Sequence, residues 1–166
     1  YKLSRPFNIA TKGEPTGVAK DFINFILSKE GQAVVTDNKY IAVNDAAESF
    51  VSDGSSGQIA VGGSSSVSPV MEKLIEAYKS VNPNASIDLQ TSDSTSGMTG
   101  AMDGTFAIGM ASRELKDEEA AQLTGTAIAL DGIAVIVNPA STIDELSMDQ
   151  IKSIYVGDIT DWGDLA

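Results

Sequence analysis

The sequence predicts an α/β fold in which a mostly parallel central sheet carries helices on both faces. Short apolar extended segments alternate with helical segments along most of the chain, a pattern typical of strands joined by crossover helices. The 166 residues suffice for one domain with a substantial core, and they contain no internal repeat. We therefore expect a single three-layer α/β lobe over residues 1–166.

The first part of the chain, residues 1–43, predicts one strand followed by two helices. Residues 5–11 are extended, and the turn over residues 12–15 leads into a helix. Apolar residues at helical spacing mark this helix, namely Val18, Phe22, Ile23, Phe25 and Ile26. A second helical stretch covers residues 31–37, and residues 40–43 are extended again.

Residues 44–58 indicate a solvated linker. They are rich in Asp, Glu, Ser and Gly, and Phe50 and Val51 are their only large apolar residues. This linker divides the chain into two segments of unequal length, residues 1–43 and 59–166.

The second segment alternates strands and helices. We predict strands at 59–61, 86–91 and 106–110, and a strand pair or one long bent strand at 127–137. Helices are predicted at 69–81, through 98–102, at 116–122 and at 147–155.

Composition excludes several classes of function. The net charge of -12 argues against nucleic acid or an anionic membrane as partner, since there is no basic patch to displace counterions. The absence of His and Cys removes the commonest general base and the commonest metal ligands. The longest apolar run, residues 133–137, is far too short to span a membrane. We therefore expect a binding protein rather than an enzyme, with no cofactor, no metal and no insertion in a bilayer.

Three turns rich in hydroxyl groups follow predicted strands, and we name them the first turn (62–69), the second turn (91–97) and the third turn (111–114). In α/β sheets, ligands gather at the carboxyl ends of strands. A helix that starts there offers unpaired N–H groups and a partial positive charge, and serine adds a small donor. Together the three turns predict a site for a small tetrahedral oxyanion.

The same residues also have purely structural interpretations. Ser68 could cap the helix that starts at Pro69, residues 94–96 could cap the next helix, and Ser112 could form a local turn. Arg113 either contacts an anion or pairs with Glu114 or Glu118 at the surface.

Two carboxylates near the ends of strands, Asp93 and Asp131, are also open to two interpretations. They are either acceptors for a protonated oxyanion or solvated surface groups.

Several motifs together resemble a known family. The amino-terminal half of bacterial phosphate-binding proteins of ABC transporters is similar to GGSSSVSP (62–69), FAIGMASREL (106–115), ALDGIAVIVNP (129–139) and IYVGDITDW (154–162). The carboxyl-terminal end of the same family is similar to LSRPF (3–7), TKGEP (11–15) and FILSKEGQ (25–32). The resemblance covers nearly everything outside the linker, and it implies one lobe of a two-lobe clamp with a type II periplasmic-binding-protein-like fold.

The order of the two segments is reversed relative to that family, and most of the other lobe is absent. This arrangement predicts either a piece of two receptors in tandem, which the natural-looking linker favours, or an engineered permutant. The resemblance places the ligand-binding positions on Ser64, Ser65, Ser66, Thr95, Ser96, Gly97 and Ser112. At the position of Ser112, some members have an aspartate that accepts the phosphate proton.

The resemblance implies inorganic phosphate as ligand and the membrane permease of an ABC transporter as partner. It also implies an extracytoplasmic location, either as a cell-surface lipoprotein or in the periplasm. Three alternatives stay open: a receptor for another oxyanion such as sulfate, a docking lobe that no longer binds a ligand, and a phosphoester hydrolase that uses a turn serine. An isolated lobe keeps only part of the donor set, so we expect it to bind phosphate in the millimolar range or undetectably.

Overall fold

A computed structural model describes residues 3–165 of the chain. These residues form two compact units, which we describe separately. The larger unit is Ser4–Gly132, and the smaller one contains residue 3 and residues 133–165.

The larger unit contains a five-stranded sheet with the strand order β3-β2-β4-β1-β5. The strands are β1 (Ser4–Thr11), β2 (Gly57–Ser64), β3 (Ala85–Ser92), β4 (Ile108–Ala111) and β5 (Thr124–Gly132). The helices of this unit are α1 (Gly17–Leu27), α2 (Lys29–Asp37), α3 (Ser68–Val81), α4 (Ser94–Asp103) and α5 (Asp117–Ala120). The predicted α/β fold class is confirmed.

The sheet is mixed, because one strand runs against its neighbours. β2 is parallel to both β3 and β4, whereas β1 is antiparallel to β4 and to β5. The alternation of strands and helices fixes direction only for strands joined by a crossover helix, which here are β2, β3, β4 and β5. It carries no information about β1, whose connection to β2 is long and contains two helices.

Helices cover both faces of the sheet, as predicted. On one face, apolar side chains of α1, α2 and α3 pack on strand residues such as Phe7, Val61 and Ile108. On the other face, Met98 and Ala101 of α4 pack with Ala10, Ala111 and Leu123. The consecutive residues Ile9 and Ala10 of β1 point to opposite faces of the sheet, because successive side chains of a strand alternate between its faces.

Most residues of the segment before β2 are exposed, and its interpretation as a solvated linker stays a prediction, although the segment makes contacts with α1. The buried carboxylate of Asp21 on α1 accepts hydrogen bonds from the Ser52 hydroxyl at 2.7 Å and from the Asp53 N–H at 3.0 Å. Burial raises the pKa of Asp21, but its hydrogen bonds from Asp53, Ser52, Tyr78 and Asn82 outweigh that effect and lower it. Phe50 also packs edge-on against Phe25, with ring centroids 5.3 Å apart.

The smaller unit is built from local signals. It contains α6 (Met148–Val156) and a short 3-10 helix (Trp162–Leu165). Ser147 and Gln150 form a capping box at the start of α6, and Gly157 ends it with φ of 86°. The predicted strand over 127–137 ends at Gly132, and residues 133–138 are irregular.

Among residues 133–165, no described side chain is buried. The sheet belongs to Ser4–Gly132 alone. We expected one lobe over residues 1–166, composed of segments 1–43, 44–58 and 59–166, and this expectation stays a prediction.

Candidate functional site

The three turns meet at one edge of the sheet, as the sequence predicts for strands that run in the same direction. β2 pairs with β3 up to Ser64 opposite Ser92, and it pairs with β4 up to Gly63 opposite Met110. The first and second turns are joined by the Ser65 N–H, which donates to the Ser92 carbonyl at 3.0 Å.

Two glycines allow the start of α4 to lie directly on the sheet. A Cβ atom on Gly97 would lie 2.7 Å from the Gly63 Cα atom and 2.6 Å from the Met110 carbonyl oxygen. Gly63 itself has φ of 136°, a conformation that favours glycine. Gly97 therefore packs directly against the sheet. Its N–H donates to the Asp93 carbonyl at 3.0 Å, and its assignment as a ligand-binding position stays a prediction.

The first turn leads into α3 without a side-chain cap. The N-cap residue is Val67, and no described side chain accepts from the first N–H groups of this helix. The interpretation of Ser68 as the N-cap is wrong, because the helix begins one residue earlier than predicted. The Ser68 hydroxyl instead lies 2.8 Å from the Thr91 hydroxyl and 3.3 Å from the Ser64 carbonyl.

Among the three turns, the start of α3 is therefore the place where backbone N–H donors have no side-chain acceptor in the described part of the chain. The first N–H groups of a helix have no partner within the helix, and the helix dipole places a partial positive charge there. Ser65 is exposed and Ser66 half-buried beside this terminus, while Ser64 is buried at the end of β2.

The start of α4 differs, because a carboxylate of the chain occupies it. Asp93 is the N-cap, and its Oδ1 atom accepts from the Thr95 N–H at 2.8 Å and the Ser96 N–H at 3.0 Å. Its Oδ2 atom accepts from the Ser96 hydroxyl at 2.7 Å. The Ser96 hydroxyl and these N–H groups hold the pKa of Asp93 below its usual value. The prediction that residues 94–96 cap this helix is wrong, since Asp93 does so.

The third turn bends at residues 112–113, directly after β4, and contacts distant in sequence fix its position. The Ser112 N–H donates to the Ser94 hydroxyl of the second turn at 3.1 Å. The Asn8 side chain on β1 donates to the Arg113 carbonyl at 2.9 Å. Asn8 was missed by the sequence analysis, since a lone buried Asn in a strand carries no signal of its partner.

Arg113 pairs with a residue that the sequence analysis did not consider. Its Nη1 atom donates to Glu119 Oε2 at 2.8 Å, and its Nη2 atom donates to Glu119 Oε1 at 2.9 Å. These charged hydrogen bonds lower the pKa of Glu119 and raise that of Arg113. Of the two predicted partners, Glu114 contributes only its backbone carbonyl, and no described bond joins Arg113 to Glu118.

Asp131 lies outside the three turns. It is on β5, which β1 separates from β4, and it forms an ion pair of 2.9 Å with Arg5. Asp131 is therefore distant in the sheet from Asp93, the other candidate acceptor.

Two further features of residues 3–165 bear on other functions. No group of three or more His, Cys, Asp or Glu side chains is placed to hold a metal ion. None of the helices in this part of the chain has the length and apolar character needed to cross a membrane.

A family model described as a PBP superfamily domain matches residues 49–166, more than half of the chain. The chain belongs to the PBP superfamily. Among relatives of this PBP superfamily chain, phosphate-binding protein PstS 2 of Streptococcus agalactiae is 51% identical over 168 residues. The match covers 100% of this chain and 57% of that protein, so the chain spans little more than half of the relative's length.

A solved structure is similar over the same range. The crystal structure of a phosphate ABC transporter phosphate-binding protein from Streptococcus pneumoniae is 45% identical, with a TM-score of 0.92. It matches 100% of the chain, which covers 65% of the solved chain. In contrast, phosphate-binding protein PstS of Bacillus subtilis is 30% identical and matches only 66% of the chain.

These matches bear on the order of the segments. One alignment through the whole chain requires that the relative has the same order, so the order occurs in natural streptococcal proteins and requires no engineering. The S. agalactiae protein is also less than twice as long as this chain, which is too short for two complete receptors in tandem. That relative therefore lends no support to the predicted tandem.

Proposed function

We propose that this chain supplies one lobe of a two-lobe receptor for inorganic phosphate, and that the three turns form its half of the binding site. The names of the streptococcal relatives and the meeting of the turns at one edge of the sheet support this proposal. The single observation that carries it is the start of α3, where Ser65 and Ser66 precede first-turn N–H groups that no described side chain caps.

The chemistry of this site suits an oxyanion despite the net charge of -12. Fixed N–H and hydroxyl donors act at short range, whereas the field of distant surface carboxylates is screened by salt within about 10 Å. In this proposal the anion lies at the start of α3, next to Ser64, Ser65 and Ser66 of the first turn. Its opposite side faces the second and third turns, with Thr95, Ser96 and Ser112. Gly97 contributes by letting α4 approach the sheet, rather than by direct contact.

We further propose an extracytoplasmic receptor that delivers phosphate to the permease of an ABC transporter. The support is the solved relative from Streptococcus pneumoniae, which is the phosphate-binding protein of such a transporter. Binding rather than catalysis is favoured by the chemistry of Asp93, the carboxylate that touches a turn serine. Its lowered pKa makes it a weak base for activating the Ser96 hydroxyl.

Calorimetry with inorganic phosphate tests the proposal in the complete protein that carries this chain. We expect saturable binding that Ser65→Ala weakens about tenfold, since a hydrogen bond to a charged ligand contributes ~1.5–3 kcal/mol. Ser86→Ala, a control at the other end of β3, should leave affinity unchanged. The 166-residue chain alone should bind in the millimolar range or undetectably.

Three results would overturn parts of the proposal. Equal affinity of Ser65→Ala and the wild type would favour a docking lobe, and micromolar binding by the chain alone would refute the half-site. Hydrolysis of a chromogenic phosphate ester that Ser65→Ala abolishes would favour an enzyme.

A further inference from the structure

Arg113 is the single Lys or Arg within the three turns. The other donors of the site are neutral N–H and hydroxyl groups, and Asp93 adds a negative charge at the start of α4. A cation held at this place would therefore change the electrostatics of the site more than any other group there.

The position of Arg113 is fixed by a buried carboxylate. The Glu119 side chain is only 3% exposed, and both its oxygens accept from the guanidinium group. Its Oε2 atom also accepts from the Lys116 N–H at 2.8 Å. Burial of a carboxylate costs several kcal/mol unless hydrogen bonds and an opposite charge compensate it. Two parallel N–H···O bonds also fix the plane of the guanidinium group. Glu119 thus sets where Arg113 lies.

The guanidinium keeps donor capacity on the side that faces the second turn. Its Nη2 atom lies 3.4 Å from the Thr95 hydroxyl, close to the outer limit for a hydrogen bond. The Arg113 side chain is 31% exposed, unlike that of Glu119. An oxyanion beside Thr95 can exchange this long contact for a short charged one.

We propose that Arg113 contacts the bound oxyanion from the third turn and that Glu119 is the residue that positions it. The proposal rests on the proposed function, because it assigns a charged contact to the same site. Arg113 then supplies a charged donor that the neutral serines lack.

The test is calorimetry with inorganic phosphate on the complete protein that carries this chain. The main variant is Arg113→Gln with Glu119→Gln, because removal of both charges leaves no unpaired buried carboxylate. We expect its affinity for phosphate to fall about tenfold, with a weaker dependence on salt than the wild type shows. Arg113→Lys should recover part of this loss, since lysine keeps the charge but lacks the planar fork.

Arg5→Gln with Asp131→Asn is the matched control, because it removes both charges of an ion pair outside the three turns. It should leave phosphate affinity unchanged. To separate positioning from a structural role, Glu119→Gln is measured with and without Arg113→Gln. A positioning role predicts that Glu119→Gln weakens phosphate binding about threefold in the wild type and causes no further loss of affinity once Arg113 is replaced.

The outcomes distinguish this proposal from the proposed function. If Ser65→Ala weakens binding but the double variant binds as the wild type does, Arg113 makes no contact and only this proposal fails. If Glu119→Gln weakens binding equally in both backgrounds, its role is structural and the positioning assignment fails. If the wild type shows no phosphate binding at all, both proposals fall together.

Discussion

The starts of α3 and α4 lie at the same edge of the sheet and are both rich in serine, yet they differ in charge. The N-cap of α4 is Asp93, whose carboxylate accepts from the Thr95 and Ser96 N–H groups and so offsets the partial positive charge at the start of the helix. α3 begins after Val67, and no described side chain caps it. A helix start without a side-chain cap can bind an external anion with its free N–H groups. A helix start that a carboxylate caps has those N–H groups already bonded within the chain.

The largest expected effect comes from giving α3 the carboxylate that α4 already has. Ser65→Asp places a negative charge beside the first turn of α3, where it repels an incoming oxyanion and competes for the same N–H groups. We expect phosphate affinity of the complete protein to fall on the order of 100-fold by calorimetry.

The control is Ser86→Asp, which adds the same charge near the amino end of β3. An equal loss in both variants would mean that net charge, rather than the start of α3, determines binding.

A smaller effect is expected from removing the charge of α4. Asp93→Asn keeps a side chain that caps helices about as well, but it removes a like charge from the site. Affinity for phosphate should therefore rise about threefold to tenfold, with the melting temperature nearly unchanged. A fall in affinity would instead indicate that Asp93 accepts the proton of hydrogen phosphate.

The smallest effect concerns pH. Hydrogen bonds from Ser96 and Thr95 hold the pKa of Asp93 below its usual value of 3.8. A carboxylate with a lowered pKa in the folded state stabilises the fold above its unfolded pKa and loses that contribution as pH falls through the folded pKa. Below pH 3.8, the Thr95 and Ser96 amides should lose protection from hydrogen exchange before the amides inside α3 do.

Asp93→Asn provides the control for this measurement, since an amide does not titrate. If its Thr95 and Ser96 amides lose protection over the same pH range as in the wild type, the loss arises from other carboxylates, such as Asp21 or Glu119.

The sequence predicted the elements around the site well, because their signals are local. Strand and helix alternate from β2 to β4, and turns rich in serine follow each strand. The direction of β1 was out of reach, since no crossover helix joins it to its neighbours in the sheet. The run at 133–137 has strand propensity, but a strand forms only against a partner, and these residues are irregular.

Within the site, local sequence was misleading where a partner lies further away. Ser68 before Pro69 has the spacing of a cap, yet the helix starts one residue earlier. Arg113 pairs with Glu119 instead of its neighbour Glu114, because the fold of the third turn and α5 brings residues six apart within 2.8 Å. Such contacts depend on the path of the backbone, which residue spacing alone does not specify.

Amide NMR titration of the 166-residue chain with inorganic phosphate tests the central claim most directly. We expect any saturable shifts, up to tens of millimolar phosphate, to be largest at the amides of Ser66, Ser68 and Val70. The shifts at Thr95 and Ser96 should be smaller, because Asp93 already accepts from their N–H groups. Saturable shifts that are largest at Thr95 and Ser96, or at amides outside both the three turns and the start of α3, would contradict this expectation.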